Sequence, residues 1–573
     1  MYSNHISIQI IIASLKQYNI RNVVLSPGGS DIPLIHSIET DDFFTCYSVV
    51  DERSAVYFGI GVSQVKNEPV VCICTSGTAV SNFLPGITEA FYQNIPIIAI
   101  TADKNPYYTG QIETQKIEQK NIFGAVSRKS VELPLCNSDD EIWYCERVVK
   151  EALLASLFHD KGPVHINVPI VGSYSEYDVH ELPIIKPINL VNCENSDMEW
   201  NKYIDIFQKS RKILIVVGQN VVFSDFDVVN IDKFFSTYNC VFSVEHISNL
   251  KCKGGVYTYP ITETGNTNQS MVPDLVISLG NNVASYGMKP FLRENCTSFR
   301  HISIDKGGRI RDVFKALTDV FECSPSYFFK YFAENTPSSC SNNLQFYNIW
   351  YDSSIKIKIP EFEFSNFYVA QKLAPKIPDF SILHLAILSS ARVMQFFDLK
   401  KHVRVFCNAG ALGIDGCLST FIGHAAATTD KAFCVIGDLS FFYDMNAAGI
   451  SHVSNNVRII LLNNGGASEF HFFMDKKDIP TLNVHVCAEH KKKAKGWVES
   501  LGYNYYSASN KSEFETVFTS FLEDSDAPKF LEVFTDKEED ARLSKEFYIS
   551  NHKLPGLLDN VKSVASRVKR KLF

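Results

Sequence analysis

Ala432-Phe433-Cys434-Val435-Ile436-Gly437-Asp438-Leu439-Ser440 and, further on, Ile459-Ile460-Leu461-Leu462-Asn463-Asn464-Gly465-Gly466 decide how this chain is read. Each stretch begins as a short apolar run, the pattern of a strand buried in a parallel sheet. Each ends in glycine beside an oxygen-bearing side chain, and Asn464 follows Asp438 by 26 positions. The acid and the amide therefore converge at the carboxyl edge of one sheet, where ligands of open α/β folds bind. A hard cation such as Mg²⁺ takes oxygen ligands and keeps phosphate oxygens in its shell. The Asp438 carboxylate, the Asn464 side-chain oxygen and the Gly466 carbonyl would supply three of them. Gly437, Leu439 and Ser440 complete the turn, whose glycine lets backbone approach a diphosphate at a helix N-terminus. Glycine at a strand end is by itself only a turn; two such ends, each after a buried strand, point to a metal–diphosphate site.

The same alternation of short apolar runs and helical patterns fills most of the 573 residues, which predicts α/β architecture with doubly wound parallel sheets. Strands are expected at 23–25, 70–74, 97–101, 213–217, 241–244, 275–279, 403–407 and 530–533 as well as in the two runs above. Polar, proline-containing stretches near 182–201 and 335–343 divide the chain into three domains, 1–180, 195–335 and 360–540. Composition is 45% hydrophobic, 12% aromatic and 21% charged, which excludes a predominantly disordered chain. A net charge of −8, from 55 basic and 63 acidic residues, excludes a general nucleic-acid binder. Residues 1–20 lack the basic and apolar regions of a secretory signal, and no apolar run approaches the roughly 20 residues of a membrane span. Fifteen scattered cysteines without C-x-x-C pairs read as reduced, buried thiols of a cytoplasmic protein, with no zinc site. Residues 545–573 read as a basic amphipathic C-terminal extension. Its Leu557, Leu558, Val561, Val564, Ala565, Val568 and Leu572 recur at helical spacing beside Lys562, Arg567, Lys569, Arg570 and Lys571. Such a helix packs on its own protein with a solvated basic face, or meets an anionic membrane surface or a partner.

The paired motifs of the third domain resemble the thiamine diphosphate site of the thiamine-dependent decarboxylase and carboligase superfamily. That resemblance gives meaning to Val49-Val50-Asp51-Glu52-Arg53-Ser54, which alone reads as a helix cap. A thiamine enzyme needs one carboxyl group against the aminopyrimidine ring, and Glu52 is the candidate. Further motifs follow in order: Ser26-Pro27-Gly28, Thr75-Ser76-Gly77-Thr78, Thr101-Ala102-Asp103, 162–169 and Gly413-Ile414-Asp415-Gly416. Together they resemble the 2-succinyl-5-enolpyruvyl-6-hydroxy-3-cyclohexene-1-carboxylate synthase family (the MenD family) over roughly residues 5–535. The resemblance implies pyrimidine-binding, middle and diphosphate-binding domains, thiamine diphosphate and Mg²⁺ as cofactors, and a homo-oligomer, dimer or tetramer, with sites between subunits. It makes Glu52 the cofactor-activating acid and Ile414 the wedge that bends the cofactor. It turns the Leu412 carbonyl toward the cofactor amino group, adds Thr78 to the cofactor contacts and sets Gln115 beside the reacting centre.

The substrate end departs from the family pattern. S-P-G-S-R-S is replaced by Ser26-Pro27-Gly28-Gly29-Ser30-Asp31, T-A-D-R-P-P by a sequence containing Lys104 and Asn105, and N-R-G-A-S-G by Asn408-Ala409-Gly410-Ala411-Leu412-Gly413. Arg392 is retained. The family arginines hold the carboxylates of 2-oxoglutarate and isochorismate, and each lost charged hydrogen bond costs about 1.5–3 kcal/mol. The expectation is therefore a decarboxylating carboligase with a 2-oxo acid donor, 2-oxoglutarate or pyruvate, and a different acceptor. Ser30, Asp31, Lys104, Lys289 and Arg392 are the substrate candidates. The Lys104–Gln119 segment has no histidine, whereas simple decarboxylases of the superfamily often place histidines there. Three alternatives stand beside this one: a non-oxidative 2-oxo acid decarboxylase, the family's own reaction with Lys104, Lys289 and Arg293 compensating, and a non-catalytic binding or scaffold homologue. Nothing in the middle domain signals a flavin.

Overall fold

Among the described residues eighteen strands lie in three six-stranded sheets, and every pairing within them is parallel. The computed structural model describes residues 1–185, 188, 197–219, 222–309, 311–337, 341–473 and 481–552. The first sheet holds β1 (Asn22–Leu25), β2 (Thr45–Ser48), β3 (Val70–Cys74), β4 (Ile97–Asp103), β5 (Ser130–Glu132) and β6 (Val164–Pro169). The middle sheet holds β7 (Ile213–Val217), β8 (Cys240–Val244), β9 (Gly255–Tyr257), β10 (Leu275–Leu279), β11 (Arg300–Ile304) and β12 (Leu317–Phe321). The third holds β13 (Ile382–Leu385), β14 (Arg404–Phe406), β15 (Ala432–Gly437), β16 (Val457–Asn463), β17 (Asn504–Ala508) and β18 (Lys529–Phe534). The α/β class expected from the sequence is the observed one.

The first and third sheets share one topology, β2-β1-β3-β4-β6-β5 and β14-β13-β15-β16-β18-β17. The middle sheet runs β12-β11-β10-β7-β8-β9, so its order reverses between β10 and β7. Parallel strands need crossovers that cover both faces of a sheet, which is why the central strands here are buried along their whole length. The helix Lys537–Asn551 closes the described chain and seats Phe547 in the core. Residues 545–551 of the basic amphipathic segment belong to this helix and His552 caps it; the rest of the segment, 553–573, lies outside the described residues. No described helix is long and apolar enough to cross a membrane. The described cysteines are free thiols, buried or half-buried.

The first and third domains meet through the helices Glu52–Lys66 and Cys417–Ala426. Two glycines bring their backbones into contact. A Cβ on Gly61 would stand 2.1 Å from the Thr420 carbonyl oxygen, and one on Gly423 would stand 2.1 Å from that of Phe58. Through this crossing a single apolar core runs from one face of the first sheet into the third sheet. The other face of the first sheet and the middle domain have cores of their own. Backbone cannot yield as a flexible side chain can, so Gly423→Ala is expected to cost at least about 1–3 kcal/mol. A lowered thermal midpoint in calorimetry checks it; an unchanged midpoint would mean that the helices separate freely.

Candidate active site

β15 and β16 lie side by side with Gly437 in register with Leu462, so the turns that follow them converge. Asp438 is buried. Its Oδ1 accepts from the Leu439 N–H at 2.6 Å, and its Oδ2 accepts from the Gly465 and Gly466 N–H groups at 2.8 and 3.0 Å. The backbone of the second motif thus turns toward the carboxylate of the first, which it can do because Gly465 and Gly466 take φ of +81° and +144°. Ser440 Oγ donates to the Ile414 carbonyl at 2.8 Å and ties the turn to the preceding loop. Space opens at Gly437, where an added Cβ would meet nothing within 4 Å. Asn464 gives its amide N–H to Asp540 at 2.9 Å, and among the described residues no donor reaches its Oδ1. A carboxylate and an amide oxygen beside an open glycine, with the Gly466 backbone adjoining, are donors of the type a hard cation takes, so the residues present fit Mg²⁺ and the diphosphate it carries. His490, 3.4 Å from Asp438 through Nε2, and Asp540 were not singled out from the sequence.

The loop after β14 carries Leu412 and Ile414. Leu412 is left-handed, φ +59°, and 47% exposed. All three domains hold this loop. Glu89 of the first domain accepts from the Gly410 and Ala411 N–H groups at 3.0 and 2.7 Å. In the middle domain, Gln219 and Asn282 donate to the Cys407 and Ala409 carbonyls. Gln219 and Asn282 follow β7 and β10, at the reversal of strand order where such sheets usually bind a ligand. Here the loop of the third domain fills that place. Burial raises the Glu89 carboxyl above its ordinary range, opposed by those two N–H groups and Gln93.

In the first sheet the neighbouring strands β2, β1, β3 and β4 lead into the turns that bear Glu52, Ser30 and Asp31, Thr78, and Lys104 with Gln115. Asp51 caps the helix by accepting from the Arg53 and Ser54 N–H groups, so the cap and the candidate acid are adjacent but different residues. Glu52 lies within electrostatic range of Asp31 and Cys74. Asp31 is fully buried, and that burial pushes its carboxyl up to about 7, with Glu52 adding to the shift. Ser30 Oγ pairs with Ser76 Oγ at 3.2 Å, and Gln115, itself left-handed, donates to the Ser76 carbonyl at 3.0 Å. Thr78 is exposed at the start of a short helix.

The same helix that begins with Glu52 turns a different face to its own third domain. Arg53 donates to the Tyr443 carbonyl at 3.2 Å and pairs with Asp444 at 3.5 Å. Tyr57 donates to Asp415 at 3.1 Å, and Gly61 makes the backbone contact described above. Residues 53, 57 and 61 are one turn apart and occupy that face.

Two of the cations expected at the substrate end are paired with carboxylates of this chain. Arg392 forms an ion pair with Glu469 and stacks over the Tyr286 ring at 4.6 Å. Lys104 pairs with Glu113 at 3.2 Å. Burial lowers the Lys289 ammonium, opposed by Glu245, whose own carboxyl is driven up to about 7 by burial. Arg293 donates to the Val313 carbonyl instead.

Residues 8–122 match the family described as thiamine pyrophosphate enzyme, N-terminal TPP binding domain. Over 559 residues, 96% of this chain and 99% of the relative, the chain is 35% identical to the 2-succinyl-5-enolpyruvyl-6-hydroxy-3-cyclohexene-1-carboxylate synthase of Bacteroides thetaiotaomicron. It is 35% identical to the synthase of the same name from Phocaeicola vulgatus, with 96% and 99% of the two chains covered. It is 30% identical to that of Flavobacterium johnsoniae, with 94% and 98% covered.

Proposed function

Because the chain belongs to the 2-succinyl-5-enolpyruvyl-6-hydroxy-3-cyclohexene-1-carboxylate synthase family of thiamine diphosphate enzymes, we propose that it decarboxylates a 2-oxo acid and joins the remaining unit to a carbon acceptor. The observation that carries this reading is the convergence of Asp438, Asn464 and Gly466 at adjacent strand ends beside the opening at Gly437. Thiamine diphosphate, when bound, supplies the electron sink that loss of CO₂ from a 2-oxo acid requires. Asp438, the Asn464 oxygen and the Gly466 carbonyl would hold Mg²⁺, and Gly437, Leu439, Ser440 and Thr78 would bed the diphosphate. Glu52 would share a proton with the aminopyrimidine ring, Leu412 would offer its carbonyl to the ring amino group, and Ile414 would support the cofactor. Gln115 stands beside the reacting centre. On this reading the three sheets belong to a pyrimidine-binding, a middle and a diphosphate-binding domain.

A site shared between two copies of the chain suits this reading. The helix face at 53, 57 and 61 is taken by the chain's own third domain, while Leu412 and Val50, at 47% and 75%, stay exposed for another copy. Free buried thiols suit a reducing compartment such as the cytoplasm.

The donor is one without a distal carboxylate, such as pyruvate. The family's arginines are replaced by Ser30 and Ala409, Arg392 and Lys104 each pair with a carboxylate of the chain itself, and Lys289 lies within electrostatic range of Glu245. CO₂ release from a panel of 2-oxo acids, with and without carbonyl or alkene acceptors, tests this. Pyruvate is expected to exceed 2-oxoglutarate at least tenfold in kcat/KM, since one missing charged hydrogen bond is worth roughly that. Turnover of 2-oxoglutarate with isochorismate would return the chain to the family's own reaction. An aldehyde as sole product would make it a simple decarboxylase.

A further inference from the structure

We infer that Asp540 is the positioning residue that fixes which end of the Asn464 amide faces the metal. The inference rests on the cofactor reading above. An asparagine amide has a donor end and an acceptor end of nearly the same shape, and only its oxygen can bind a cation. Asn464 is buried at the carboxyl end of β16, so the choice between the two ends is made by the protein. Asp540 makes that choice with a carboxylate that can only accept: Asn464 Nδ2 donates to its Oδ2 at 2.9 Å, which turns Oδ1 the other way.

Asp540 is itself held from two further directions. The Thr535 hydroxyl donates to the same oxygen at 2.8 Å, and the Asn366 backbone N–H donates to Oδ1 at 2.8 Å. Donors from the residues after β16 and β18 and from the helix Asn366–Leu373 thus converge on a carboxylate from the closing helix. The neighbouring Asn463 has an equivalent but separate partner, Glu532, which receives its Nδ2 at 2.7 Å. The two consecutive asparagines therefore each have an acceptor of their own, and only Asn464 adjoins the site.

Mg²⁺ affinity, measured by calorimetry in the presence of thiamine diphosphate, tests the assignment independently of turnover. Asp540→Asn keeps the volume but lets either amide end face the metal. It is expected to weaken Mg²⁺ binding roughly 10–100-fold. The exchange Asp540→Asn with Asn464→Asp reverses donor and acceptor, leaves a carboxylate oxygen for the cation, and is expected to restore the affinity. The exchange is informative even where the single variant folds poorly. Unchanged affinity in the single variant, or no recovery in the exchange, overturns the role of Asp540 while the cofactor reading stands. Absence of Mg²⁺ binding in the parent protein overturns both.

Discussion

Glu52→Gln leaves a folded protein that binds its cofactors and no longer turns over. The substituted amide has the shape of the carboxyl group and can still hydrogen-bond, but it cannot give up or share a proton at the pyrimidine ring. Its place at the first helical position is independent of the cap, because Asp51 holds the Arg53 and Ser54 N–H groups. Loss of a positioned proton-transfer group costs about 10²–10⁴ in rate. Deuterium exchange at C2 of the bound cofactor, followed by NMR after acid quench, should slow by the same order while cofactor affinity stays near that of the parent. Exchange at the parental rate would remove Glu52 from its proposed role.

Asp438→Asn is expected to abolish Mg²⁺-dependent cofactor binding, an effect on the ground state. The carboxylate has two tasks, accepting from Gly465 and Gly466 and meeting the cation with a full negative charge. An amide oxygen fills part of the first and none of the second, and its N–H₂ would confront backbone donors. Each buried backbone donor of the 463–466 turn left without a partner adds about 1–3 kcal/mol. Calorimetric titration with Mg²⁺ and thiamine diphosphate should show no binding at concentrations that saturate the parent. The two inactive variants also test the shared site together. If each site takes Glu52 from one copy and Asp438 from another, mixed dimers contain one intact site. Co-refolding at equal amounts then restores about a quarter of the sites. No recovery would mean that both residues serve the site of a single chain.

Much of this architecture is legible in the residues, and the exceptions have identifiable causes. Strands such as β3, β7, β10, β15 and β16 are buried on both faces and appear as continuous apolar runs. Eight strands have no counterpart among the expected runs: β2, β12 and β17 are partly exposed, β5 and β9 have only three residues, and in the buried β6, β11 and β13 the histidines His165, His301 and His384 interrupt the apolar run. In the site, Asp438 and Asn464 announce themselves because glycine and an oxygen donor follow buried strands. Their supporting residues do not. Asp540 lies 76 positions from Asn464, Glu89 lies 321 from Gly410, and Glu469 lies 77 from Arg392. Nothing local distinguishes these carboxylates from solvated ones, and only the packed sheets bring each to its partner. The Arg392–Glu469 pair is the costliest of these omissions, since Arg392 read alone is a free cation for a substrate carboxylate.

The Gly61–Gly423 crossing also bears on how the chain is made. The helix that carries Gly61 leaves the ribosome early, yet the surface it must cover belongs to residues synthesised more than three hundred positions later. At about 5–20 residues per second, that interval lasts tens of seconds. Meanwhile the middle domain, with apolar cores of its own, can fold. The first domain completes only the face of its sheet that packs on itself. Its other face waits, exposed, for the end of translation, which makes the nascent chain a client for holding chaperones and leaves the middle domain to finish ahead of the domain that precedes it.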